Sequence, residues 1–390
     1  MEFETWWTWA LVLLPLFFGL GWMAARIDIK QIVSESRALP RSYFKGLNFL
    51  LNEQPDKAIE AFIEVVKVDP ETIELHFALG SLFRRRGEFD RAIRMHQNLL
   101  ERPDLPADQK LLALAELGED YLKAGILDRA EECFRRLEKA EGSSRAKRHL
   151  LQIYEQEKEW GKAIEMTREV ESEPRSLAQY YCELAASEAA QSRPDAARKH
   201  LEQALEANRK CVRASLLLGD LERAEGRFEQ AIAHWKRIES QNPAYLALAA
   251  QRLVEAHREA GRAEEGLRLL EDYLQRYPSL DLLDTVFQQT LDAKGADQAY
   301  KLVRDEVRRN PTLLGLDRLL EAQIIGATNP ERRRDLELVR NLVHGHTRRL
   351  ARYRCESCGF KARQFHWRCP ACAGWETYPP RRTEEFDLAP

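Results

Sequence analysis

The sequence predicts an all-α protein: a stack of helical hairpins with a membrane-spanning helix in front and a small metal-held ribbon behind. Three observations carry that prediction. A pattern of small residues recurs with a period close to 34 residues through most of the chain. An uncharged run, WWTWALVLLPLFFGLGWMAA, stands at residues 6–25. Two Cys-x-x-Cys pairs lie near the end, within residues 353–375.

The uncharged run sets the expected compartment. A helix of that length rises about 30 Å, the thickness of bilayer hydrocarbon. Trp6, Trp7 and Trp9 at one end and Trp22 at the other match interfacial aromatic belts. Glu2 and Glu4 precede the run where a cleaved signal peptide would carry basic residues, so a retained anchor is expected. Arg26, Lys30, Arg37 and Arg41 follow it and no basic residue precedes it, which orients the bulk of the chain toward the cytoplasm. Residues 1–30 are therefore read as anchor and juxtamembrane segment. A formal charge of −3 on 390 residues excludes whole-chain polyelectrolyte binding. Of seven cysteines, Cys133, Cys182 and Cys211 are scattered through helical sequence and read as small buried hydrophobes, not as a disulfide framework.

The repeat occupies residues 39–322. DKAIEAF (56–62), DRAIRMH (90–96), DRAEECF (128–134), GKAIEMT (161–167), DAARKHL (195–201), EQAIAHW (229–235), EEGLRLL (264–270) and DQAYKLV (297–303) align on Ala58, Ala92, Ala130, Ala163, Ala197, Ala231, Gly266 and Ala299. Upstream helices carry small residues of their own at Gly46, Gly80, Gly118 and Gly219, and Phe62, Phe134 and Trp235 are placed to fill the gaps beside them. The longest step, from Ala92 to Ala130, contains RPDLPADQK (102–110), read as a loop insertion. A helix-turn-helix unit of this length with these positions resembles the tetratricopeptide repeat, and the resemblance implies about eight units in a right-handed superhelix with a concave groove. It also implies that the first helix of each unit lines the groove, which places Phe77, Ser81, Arg84, Glu119, Asp220 and Arg223 there as a partner surface.

Such repeats bind. The sequence holds no HExxH, GxSxG, GxxxxGK or GxGxxG, and its carboxylates are spread as on ordinary helix surfaces, so no catalytic residue is assigned. His344 and His346 are read as part of an exposed helix.

Residues 329–352 form an expected linker helix opened by Asn329 and Pro330, with Leu336, Val339 and Val343 on one face and many arginines. Residues 353–380 then carry Cys355, Cys358, Cys369 and Cys372, a spacing that lets two sulfurs of each pair reach one ion and complete a tetrahedron of thiolates. Softness and geometry admit either zinc or iron. All four ligands come from the protein, so no position is left for water or substrate. Gly359 follows the first pair at a tight turn and Pro370 stiffens the second. With Trp367 and Trp375, the segment resembles rubredoxin. Phe360, Phe365, Trp367 and Trp375 are expected to pack round the ion or to dock the ribbon onto the last repeats. Residues 381–390 are read as a tail.

Anchor, repeats and ribbon in that order, with NFLLNEQPDKAIEAF (48–62), LGSLFRRRGEFDRAIRMHQNLLE (79–101), YYCELA (180–185) and YRCESCGF (353–360), resemble the lipopolysaccharide assembly protein B family. The resemblance implies a non-enzymatic adaptor of the bacterial inner membrane, with its N-terminus periplasmic and its bulk cytoplasmic. Implied partners are a membrane-anchored AAA+ metalloprotease, the deacetylase that commits precursor to lipid A, and other lipopolysaccharide synthesis or transport proteins. A rubredoxin-type electron carrier and a nucleic-acid-binding zinc ribbon are alternative readings; the leading one expects no nucleic acid.

Overall fold

A computed structural model describes residues 41–68, 73–170 and 174–384. The uncharged run at 6–25 and tail residues 385–390 lie outside the described residues. Among the described residues no helix is long and apolar enough to cross a membrane.

The described chain divides into two compact units, the first ending at Ile153 and the second beginning at Tyr154. The first contains α1 (Arg41–Leu51), α2 (Pro55–Val68), α3 (Ile73–Arg85), α4 (Phe89–Glu101), α5 (Ala107–Ala124), α6 (Leu127–Glu141) and most of α7 (Ser144–Glu157). The second contains the end of α7, then α8 (Trp160–Glu169), α9 (Pro174–Ala190), α10 (Pro194–Ala207), α11 (Val212–Ala224), α12 (Phe228–Gln241), α13 (Leu246–Glu259) and α14 (Ala263–Arg276). It continues through α15 (Leu280–Lys294), α16 (Ala296–Arg309), α17 (Leu313–Gly326) and α18 (Pro330–Leu350). A ribbon of β1 (Ala351–Arg354), β2 (Lys361–Ala362) and β3 (Thr383–Glu384) closes it.

Helices pack in successive pairs, α1 with α2, α3 with α4, α5 with α6, and likewise α9/α10, α11/α12, α13/α14, α15/α16 and α17/α18. The helix expected as a linker is thus the packing partner of α17. Each hairpin closes because its apolar residues recur at helical spacing. In α12, Ala231, Ile232, Trp235 and Ile238 are buried along one stripe. Every small residue that marks the repeat, from Ala58 through Ala299, is buried. Where the first helix offers glycine the second helix fills the space: a Cβ on Gly219 would sit 2.2 Å from Trp235 Nε1. That indole is held in place by donating to the Leu216 carbonyl at 3.1 Å.

His96 takes the same position against Gly80, where the neighbouring repeats use an aromatic ring. It is fully buried and its Nδ1 meets the equally buried Asp120. The extra length between Ala92 and Ala130 is absorbed partly as helix. Only 102–106 form a connection, and α5 runs 18 residues where α3 runs 13. Ser279 and Thr312 cap α15 and α17, accepting from the backbone N–H of Leu282 and Gly315 at 3.1 Å each.

The ribbon sheet has strand order β2-β1-β3, antiparallel throughout, with Tyr353 opposite Ala362 and Arg352 opposite Thr383.

Candidate metal centre and its docking face

Two loops of like design bring the cysteines together. In the first, Cys355 N–H donates to Phe360 O at 2.8 Å and Gly359 N–H returns to Cys355 O at 2.9 Å. In the second, Cys369 N–H donates to Gly374 O and Ala373 N–H returns to Cys369 O, both at 2.9 Å. Gly359 and Ala373 occupy the same place in their loops, and both adopt left-handed backbone, φ +75° and +56°. Glycine tolerates this freely and alanine does not, so the second loop holds its shape against a local cost of about 1–2 kcal/mol.

The four sulfurs lie within 4.8 Å of one another, with Cys355–Cys372 at 3.8 Å and Cys358–Cys369 at 3.7 Å. A tetrahedron with metal–sulfur bonds of about 2.3 Å has edges of about 3.75 Å, so the donor set fits one zinc or iron ion. Electrostatics point the same way. The Phe360 N–H favours ionisation of Cys358, yet burial and the sulfurs of Cys355, Cys369 and Cys372 push its thiol up to about 12. Four thiolates this close need a shared cation to be ionised together. Cys355 and Cys369 are buried and Cys358 and Cys372 lie toward solvent. Burial opposes ionisation of Cys355, but the Thr377 hydroxyl and the N–H groups of Cys358 and Ser357 bring it down to about 6.

The small core beneath the sulfurs is built on Tyr378, fully buried between the cysteines, Tyr353 and Phe365, with its hydroxyl donating to Tyr353 O at 3.0 Å. Of the aromatic residues expected round the ion or on the repeats, Phe365 packs on this core and also faces the repeats, while the others lie outside the core. Phe360 is 36% exposed at the ribbon surface. Trp367, Trp375 and Phe365 face the repeats, and they reach well beyond the last of them. Trp367 stacks on Tyr245 at 5.6 Å, and Phe365 meets the same ring edge-on at 6.2 Å. Trp375 stands edge-on to Trp160 and Tyr180, at 6.3 and 6.1 Å. The Arg213 guanidinium lies 5.7 Å from the ring of Trp367 and 6.0 Å from that of Trp375, a double cation–π contact.

Polar contacts fix the register of this face. Glu155 at the end of α7 receives Arg368 at 2.8 Å and also the Tyr180 hydroxyl. Gln179 of α9 donates to Glu376 at 2.6 Å. Burial holds the Glu376 carboxyl above its usual range, against the Gln179 bond and the charges of Arg175 and Arg213. Asp281 of α15 accepts from Arg382 at 2.6 Å and from the Tyr353 hydroxyl at 3.3 Å. The ribbon therefore rests on residues drawn from α7 through α15. Sequence spacing offered no signal for Glu155, Gln179, Arg213, Tyr245 or Asp281, because each lies on an ordinary-looking helix or turn.

The residues expected to line a partner groove are placed as follows. In the first unit Phe77 packs on Leu99, Leu105 and Ala113, and Ser81 is half-buried. Arg84 is 14% exposed and pairs with Glu116 at 2.6 Å and Asp120 at 2.7 Å, and more loosely with Glu119. Glu119 in turn meets Arg145 and His149. In the second unit Asp220 pairs with Arg252 at 2.7 Å, and Arg223 with Glu255 and Glu259 at 2.6 and 2.7 Å. The charged members thus tie each first helix to the next. Cys133, Cys182 and Cys211 are all buried. His344 bonds Asp317 at 3.0 Å, and His346 is exposed.

Family models agree with this architecture. Tetratricopeptide repeat family models match residues 75–110, 116–172 and 182–245, and a rubredoxin metal binding domain model matches 353–380. Among solved structures, one of Naa15/Naa10 bound to HypK-THB aligns at TM-score 0.41 and 14% identity, covering 73% of this chain and 45% of that one. Lipopolysaccharide assembly protein B of Haemophilus influenzae is 32% identical over 395 residues, covering 96% of this chain and 98% of that protein. The protein of the same name from Escherichia coli K12 is 33% identical over 379 residues, covering 95% of this chain and 97% of its own. At that identity along nearly its whole length, the chain belongs to the lipopolysaccharide assembly protein B family.

Proposed function

We propose that this chain is a non-enzymatic adaptor in lipopolysaccharide synthesis, anchored in the bacterial inner membrane by residues 6–25 with its N-terminus periplasmic and the repeats cytoplasmic. In this reading it brings the deacetylase of the committed lipid A step to a membrane-anchored AAA+ metalloprotease and so limits synthesis. The observation that carries it is family membership along 95% of the chain, with uncharged run, repeats and ribbon in order. In this reading clients are bound by first-helix residues, Phe77, Ser81, Arg84 and Glu119 in the first unit and Asp220 and Arg223 in the second. A shared membrane raises the effective concentration of adaptor, client and protease without any new contact.

Cys355, Cys358, Cys369 and Cys372 would hold one zinc or iron ion, which supplies a four-way crosslink to a ribbon too small to fold on buried area alone. Every ligand position is taken by sulfur, so the centre serves as a staple. The ribbon's own residues then present Trp367, Trp375 and Arg368 to the repeats.

Deleting residues 1–30, or replacing Cys355 and Cys358 by serine, is expected to lengthen the deacetylase half-life in cells several-fold, followed by pulse-chase blotting. Unchanged turnover in both variants would sink the proposal. A second reading, electron transfer at the same sulfurs, has the solvent-side position of Cys358 and Cys372 in its favour. Full function with redox-inert zinc as the only metal would dispose of it.

A further inference from the structure

The repeats of the second unit bury a pair of thiols that the metal centre does not use. Cys182 on α9 and Cys211, immediately before α11, are both fully buried, and their sulfurs lie 3.8 Å apart. That is contact without a bond. A disulfide closes the gap to about 2.05 Å, so from 3.8 Å each sulfur travels about 0.9 Å.

The ribbon docks directly on the side chain that touches this pair. Gln179, itself fully buried, donates through Nε2 to the Cys211 sulfur at 3.7 Å and to Glu376 of the ribbon at 2.6 Å. Its Oε1 accepts from Arg213 at 3.3 Å, and Arg213 lies against Trp367 and Trp375. One amide thus meets a thiol on one side and the docked segment on the other. In this state the thiols are inert. Burial, and after it the Cys211 sulfur, holds the Cys182 thiol well above its ordinary range, and the thiolate is the form that reacts.

We propose that Cys182 and Cys211 are an oxidation site gated by the ribbon: release of residues 367–376 admits hydrogen peroxide, and the two thiols close into a disulfide that ties α9 to α11. The Cys211 sulfur attacks one peroxide oxygen and the O–O bond breaks. The other oxygen leaves as water with the thiol proton, and a sulfenic acid remains on Cys211. The Cys182 sulfur then attacks that sulfur, the S–O bond breaks, and the hydroxyl departs with the Cys182 proton as a second water. Two thiols are oxidised and one peroxide is reduced. The new bond joins residues 29 apart and pins the first helices of two successive hairpins, so undocking is recorded as a covalent crosslink.

The test is peptide mapping of the zinc-loaded full chain in detergent micelles during exposure to hydrogen peroxide. Free thiols are blocked with iodoacetamide at each time point, and the linked Cys182–Cys211 peptide is quantified by mass spectrometry. Wild type is expected to form the link slowly, and Trp375→Ala/Glu376→Ala to form it with an initial rate at least tenfold higher. Glu155→Ala, which removes the acceptor of Arg368 from the repeat side, should accelerate it as well. Oxidation of Cys133, in the first unit, should keep its wild-type rate in both variants, which separates release of the ribbon from general unfolding. Absence of the linked peptide from both variants overturns the proposal. So do initial rates equal to wild type in both, or an equal acceleration at Cys133.

Discussion

Gly219 and Trp235 show how one missing methyl group sets a repeat. The indole occupies the volume a side chain at 219 would need, and its hydrogen bond to Leu216 O leaves it no room to retreat. Gly219→Ala is therefore expected to destabilise the second unit by about 1–3 kcal/mol, read as a fall in melting temperature. Gly161, also helical, has open space where a Cβ would go. Gly161→Ala should be neutral or stabilising by up to about 1 kcal/mol, which separates crowding from helix propensity. The glycine-and-ring pairing was legible at Gly46, Gly118 and Gly219. It was not legible at Gly80, whose filler is a histidine, because a histidine in a repeat reads as polar until its buried partner Asp120 is seen. Ala373 escaped notice for a similar reason. Its left-handed backbone is imposed by the loop around Cys369, and nothing in the letter A announces it.

Between elements, first helices are stitched to their successors by ion pairs, and Glu119 of α5 is the clearest case. A hydrogen bond from His149 outweighs burial, and with Arg145 and Arg84 it brings the carboxyl from 4.5 to about 2. A depressed carboxyl contributes stability that is fully present above its unfolded value and is lost as pH falls through the folded one. The difference in melting temperature between wild type and Glu119→Gln should therefore be constant above pH 4.5 and shrink between 4.5 and about 2. A difference that stays the same size at acid pH would show that Glu119 acts by shape alone. The repeat period could be read directly because small residues must recur wherever helices touch. The stitching could not, because any arginine on a helix surface has several carboxylates within sequence reach, and only the packed pair selects one.

At the scale of the second unit, the metal loops and the docking face are the same piece of chain. Trp367 and Arg368 precede Cys369, Trp375 and Glu376 follow Cys372, and Glu376 N–H bonds Trp367 O at 3.0 Å. Stripping the metal is expected to release these residues from Tyr245, Tyr180, Arg213 and Glu155 together. The measurement is tryptophan emission of the full chain, which should shift to longer wavelength on chelation and return when zinc is added, while helical circular dichroism changes little. Emission indifferent to metal would mean that the ribbon holds its docked shape without the staple.

The sequence by itself determined the repeat, its register and the four thiolate ligands of the candidate centre, because each depends on residue type at a fixed local spacing. A helix turns every 3.6 residues and a Cys-x-x-Cys pair closes within four, so short-range geometry suffices. Tertiary structure alone decided where the ribbon rests, that Tyr378 rather than a tryptophan is its core, and that α18 turns Arg340 inward and Leu338 and Leu342 out. These outcomes join residues as far apart as Glu155 and Arg368, or hang on the buried charge of Asp317. Distances in space, which no local pattern encodes, settle which of many equivalent surface charges and aromatic rings become partners.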